Sequence, residues 1–133
     1  MRFLSIYKTE ETNQPPTLEH VTRMQQLIEE GMKDGWLIST EGCLPSAKGA
    51  RVRRSNGKTI VTDGPFTESK ELVAGFAILE AASKQDAIEL THRFLDVAGG
   101  GECELRQVFT ASDEAPTHAG CTHAQLAEQI VGS

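Results

Sequence analysis

Asp63, His20 and Arg106 are the side chains of this 133-residue chain best placed to do chemistry on a small molecule. Asp63 stands in the stretch TDGPFTESKE (62–71). Proline fixes its own φ and disfavours helical conformations in the residue before it, so the Asp-Gly-Pro step aims the carboxylate in a defined direction. Partial desolvation by Phe66 and a second subunit would raise its pKa toward that of a useful general base; the plainer alternative is a turn aspartate bonded to backbone two residues on. His20 lies at the margin of an apolar helical stripe, as a proton shuttle or as an ordinary boundary histidine. Arg106 shares a strand face with Glu102 and Glu104, and would either fork onto a carboxylate ligand or pair with those glutamates. Glu68, Lys70 and Glu71 orient a substrate carboxylate, pair across a dimer or carry solvated loop charge. Tyr7 and Ser5 share one face of the first strand, as ligand hydrogen-bonders or core-edge residues.

Other chemistries find less support. His118, Cys121 and His123 are soft-metal ligands close together, but their spacing matches no zinc pattern and a fourth ligand is missing, so neither metal nor cofactor is expected. Gly99–Gly101 follows a helix instead of opening one, which is the wrong end for a dipole-assisted phosphate site. No serine sits in a nucleophile-elbow pattern. Nineteen acidic against thirteen basic residues give a net charge of −6, which argues against a nucleic-acid surface. The one basic cluster, RVRR (51–54), reads as a solvated strand face. No apolar run approaches the roughly 18 residues that span a bilayer, and the start lacks a signal-peptide pattern. Three widely spaced cysteines, with no Cys-x-x-Cys pair, suit a reducing compartment, and a cytoplasmic location is expected.

The elements that must position these residues follow from periodicity and punctuation. RFLSIY (2–7) reads as a first strand. Thr17 is the N-cap of a helix running to about Asp34, with Leu18, Val21, Met24, Leu27, Ile28 and Met32 at helical spacing and Gly35 as its stop. WLIST (36–40) is a second strand and EGCLPSAKG a loop. ARVRRS (50–55) and KTIV (58–61) flank Asn56-Gly57, a strong hairpin signal because both central residues of a type I′ turn need positive φ. LVAGFAILE (72–80) is apolar on both alternations, which predicts cover on both faces, by helices on one and a second subunit on the other. Ser83 with Asp86 opens a second helix, whose buried stripe is Ala87, Ile88, Thr91, Phe94, Leu95 and Ala98. ECELRQVFT (102–110) closes the set, its charged row Glu102, Glu104 and Arg106 expected to line a wet cleft or rim. This order predicts an α+β fold with a ferredoxin-like antiparallel sheet and both helices on one face, over residues 1–110. Residues 111–133 form a polar linker and a short amphipathic helix, HAQLAEQIV.

The tetrapeptide Asp63-Gly64-Pro65-Phe66, the segments EGCLPSAKGARVR (41–53) and KELVAGFAILE (70–80), and GECELRQVF (101–109) together resemble the DGPF-domain proteins of the YCII-related family. The resemblance covers about residues 1–110 and implies a ferredoxin-like subunit that pairs into a dimeric α+β barrel with a cleft. The wider superfamily includes small isomerases, lyases and monooxygenases without bound metal. Many relatives are associated with extracytoplasmic-function sigma factors, and in some a His–Asp pair is suspected of acid–base work. Three functions fit: a cofactor-independent acid–base enzyme acting on a small, carboxylated molecule in the dimer cleft, with Asp63 as base, His20 as shuttle and Arg106 as anchor; a ligand-sensing or partner-binding module acting with a sigma factor; or a dimeric scaffold.

Overall fold

Alternation in RFLSIYKT divides the first strand, β1 (Arg2–Thr9), into two faces: Phe3, Ser5 and Tyr7 point one way, Leu4 and Ile6 the other. The computed structural model describes residues 1–111. Its elements run β1, α1 (Leu18–Asp34), β2 (Leu37–Gly42), a single 3-10 turn (Ser46–Lys48), β3 (Ala50–Ser55), β4 (Lys58–Asp63), β5 (Leu72–Glu80), α2 (Lys84–Ala98) and β6 (Glu102–Gln107). Four strands form an antiparallel sheet in the order β2-β5-β1-β6, and β3 and β4 pair separately as a hairpin. Both helices cover the Phe3–Ser5–Tyr7 face, giving the ferredoxin-like α+β arrangement.

Local chemistry accounts for the boundaries. The Thr17 hydroxyl accepts from the His20 N–H, and Gly35 closes α1 at φ 84°. Asn56 and Gly57 both take positive φ, 52° and 79°, as a type I′ turn requires. Ser83 caps α2 by accepting from the Asp86 N–H, but the Asp86 carboxylate returns to the Ala82 N–H, one residue before the cap.

Several expected boundaries move. The strand expected from Trp36 begins at Leu37 and continues through Glu41 and Gly42, because the Cys43 N–H still reaches the Ala74 carbonyl at 2.8 Å. β4 extends to Asp63, which pairs with Ala50, so this aspartate ends a strand. β6 stops at Gln107. The inner stripe of α1 is His20, Met24, Leu27 and Ile28 with Gly31, a three-and-four spacing that leaves Leu18, Val21 and Met32 exposed. The tail helix and the His118, Cys121 and His123 cluster lie outside the described residues.

The buried core is Phe3, Leu37, Leu79, Ala81 and Ala87, gathered where β1 starts, β5 ends and α2 begins. Toward the opposite end of the sheet the helices and strands stand apart, and the space between them is the site described next.

Candidate functional site

Gly31 explains how the closed end of this space forms. A Cβ there would lie 2.7 Å from the Trp36 ring, so the glycine lets the indole pack closely against α1. Arg93 covers the ring at 5.2 Å and pairs with Glu30. Above Trp36 a half-open cavity of about 480 Å³ runs between the sheet and both helices. Met24, Leu27 and Ile28 line it from α1, Leu90 and Phe94 from α2, and Ala77 and Leu79 from the sheet floor. Gly42 and Gly75 face each other near the mouth; a Cβ on Gly75 would stand 2.7 Å from the Glu41 carbonyl.

Tyr7 forms one wall. Its ring meets Phe94 edge-on at 4.9 Å, and its hydroxyl donates to the Gly100 carbonyl at 2.6 Å. Gly101, at φ 97°, permits this approach, since a Cβ would come within 2.6 Å of the tyrosine ring. The other hydroxyls in the wall are also engaged: Thr40 donates to the Phe76 carbonyl (2.9 Å), Thr91 to the Ala87 carbonyl (2.8 Å), and Ser5 bonds the Cys103 thiol. Burial, opposed by that bond, pushes the Cys103 thiol above its ordinary pKa. His20 differs. Its imidazole lines the cavity from the first turn of α1, and its side chain has no hydrogen-bond or ion-pair partner among the described residues. Glu41 contributes backbone to the wall; its register with Phe76 sets the carboxylate on the outer face of the sheet.

Asp63 lies elsewhere, exposed at the end of β4 and lining no cavity with His20. The stretch that follows it is built into a tight crossing. Gly64 sits where a Cβ would fall 1.7 Å from the Ser46 carbonyl oxygen, and its N–H donates to the Gly49 carbonyl at 3.0 Å. The Gly64–Pro65 peptide is cis. The Phe66 N–H donates to the Ser46 hydroxyl at 3.2 Å, and Glu11 holds Ser46 from the other side. Arg51 lies 3.9 Å over the Phe66 ring while pairing with Glu68. Backbone hydrogen bonding, then Arg51, holds the Glu68 carboxyl below its usual range. A shallow groove of about 520 Å³ borders this crossing, edged by Leu44, Phe66 and Val73.

The remaining expected site residues divide between faces. Arg106 pairs in register with Leu4, and so stands on the outer face, opposite Tyr7. There it reaches Glu104 at 3.5 Å, and Lys8 joins the same carboxylate at 3.2 Å. Those two cations hold Glu104 below its ordinary pKa, Lys8 first. Lys70 approaches Glu10 at 3.9 Å. The structure thus brings His20, Tyr7 and Ser5 together and leaves Asp63, Glu68, Lys70 and Arg106 outside their cavity. Trp36, Met24, Leu90 and Phe94 were not singled out from sequence as site residues. The available signal was Gly31, since a glycine inside a helical pattern marks a close approach. No group of metal-ligating side chains occurs among the described residues.

The model of the YCII-related domain matches residues 1–112. The chain belongs to the YCII-related family. A 46-residue stretch of this YCII-related chain is 44% identical to a protein of Rhizobium meliloti (strain 1021) described as uncharacterized. That stretch spans 35% of this chain and 37% of the relative. Among the described residues no helix is long and apolar enough to cross a membrane.

Proposed function

We propose that this YCII-related protein binds a small molecule in the cavity between its helices and sheet and carries out cofactor-independent proton transfer on it, with His20 as the acid–base group. The observation that carries this reading is the free imidazole of His20 in a cavity whose hydroxyl side chains are already bonded. A neutral imidazole in an apolar setting can take a proton from a ligand and return it at another atom, and such a group contributes roughly 10²–10⁴ in rate. Tyr7 keeps its lone pairs available to accept from the ligand while its proton is held by Gly100. In this reading Asp63 shapes the strand end, and Arg106 belongs to the outer face.

A ligand-sensing module, acting with a regulatory partner such as a sigma factor, is the second reading. It is favoured by the lack, among the described residues, of another unbonded ionisable side chain facing the cavity to relay the proton. Deuterium uptake into neutral apolar carbonyl compounds, read by mass spectrometry, separates the two. Wild type is expected to exchange label, and His20→Asn to lose at least about a hundredfold in exchange while still binding. Binding without exchange in the wild type overturns the enzyme reading in favour of sensing.

The proposal includes a homodimer joined through the outer sheet face. Supporting it, Leu4 and Ile6 on β1 and Phe76 and Ile78 on β5 form an apolar centre there, with Phe76 38% exposed. The unpaired cysteines Cys43 and Cys103 support a reducing, cytoplasmic setting.

A further inference from the structure

Resting on the cavity as the ligand site, we infer that its ligand is uncharged: an apolar body ending in a hydroxyl or carbonyl oxygen near His20, with carboxylates and phosphates excluded. Among the described residues, no Lys or Arg lines the cavity. Arg23 on α1 is exposed and does not line the cavity, and other cations are committed elsewhere: Lys8 and Arg106 to Glu104 on the outer face, Arg51 to Glu68 and the Phe66 ring, Lys70 to Glu10, and Arg93 to Glu30 over the far side of Trp36.

Donors are equally scarce. The hydroxyl protons of Tyr7, Thr40 and Thr91 go to backbone carbonyls, the Ser5 hydroxyl is bonded to the Cys103 thiol, and the Trp36 Nε1–H, which has no partner among the described residues, is neutral and itself buried. A carboxylate offers about four lone-pair sites. Inside this cavity it would give up its water and meet one imidazole, so its desolvation goes uncompensated. An alcohol or ketone has a single oxygen to satisfy, which His20 can do alone. Its apolar body meets Met24, Leu27, Ile28, Leu90 and Phe94, and the burial of that surface drives binding. A volume of about 480 Å³ falls inside the range of pockets that hold small organic ligands. The carboxylated substrate expected from Arg106 therefore does not suit the cavity, because that guanidinium lies on the other side of the sheet.

Trp36 supplies the readout, being the only tryptophan of the chain and lying at the closed end. Cyclohexylethanol and cyclohexylacetate share one apolar body, differ in head group and do not absorb with indole. Each is titrated into the whole protein at pH 8, with the acid fully ionised, while Trp36 fluorescence is followed. The expected result is saturable change with the alcohol and at least about tenfold weaker binding of the acid. Equal or tighter binding of the acid overturns the charge selection and leaves the cavity as the site. If neither compound changes Trp36 fluorescence, the cavity reading falls with it.

Discussion

His20 and Gly64 show how differently two residues can be legible. Helical spacing alone places His20 near the inward stripe of α1, and the structure sets it in line with Met24, Leu27 and Ile28. Gly64 reads as a turn residue before a proline, yet its necessity comes from the Ser46 carbonyl, which local propensity does not reveal. Gly64→Ala is therefore expected to cost about 3 kcal/mol or more, measured by chemical denaturation, because backbone atoms must yield on both sides. Asp63→Asn, at an exposed strand end, should change stability by less than about 0.5 kcal/mol and leave ligand binding intact. Loss of binding in that variant would return Asp63 to the site. The cysteines give a further check: burial keeps the Cys103 thiol protonated, so iodoacetamide at neutral pH should modify exposed Cys43 well before Cys103, as peptide mapping would read.

Elements were legible where capping and turn chemistry is local. α1, α2, the Asn56-Gly57 hairpin and β5 follow from patterns a few residues long, and they sit where those patterns set them. Thr17→Ala should cost about 1 kcal/mol of stability, since the His20 N–H loses its acceptor. The faces of edge strands were harder to read. The charged row of β6, expected to line a wet cleft or rim, is solvated on the outer face, away from the cavity, while Cys103 and Leu105 turn to the helices. Alternation separates the two faces of a strand without saying which one the helices cover. At Glu104 the sign follows from its depressed pKa: the pairing with Lys8 and Arg106 stabilises above the ordinary carboxylate pKa of 4.5 and is lost as pH falls through the depressed value. Wild type should hold a small thermal advantage over Glu104→Gln at neutral pH that closes on acidification. A gap that stays constant with pH would contradict the pairing.

At the scale of the molecule, the compact core occupies one end of the helix–sheet interface and the cavity occupies the other. Nothing in a one-dimensional pattern distinguishes apolar side chains that touch from apolar side chains that face each other across a void. That is why the fold was legible and the cavity was not. The outer face of the sheet gives the corresponding prediction for assembly. Phe76→Glu puts a charge into the proposed contact between copies, and light scattering should find monomer where wild type is a dimer, with unchanged circular dichroism. Dimeric Phe76→Glu would mean that the copies meet elsewhere.

The most direct test of the cavity as the site is a map of amide and side-chain chemical shifts during addition of cyclohexylethanol. Changes should concentrate at His20, Met24, Trp36, Leu90 and Phe94 and leave Asp63 and Phe66 unmoved. Changes confined to the groove beside Phe66, or to Asp63 and its neighbours, would contradict it and shift the site to the crossing that Gly64 makes with Ser46.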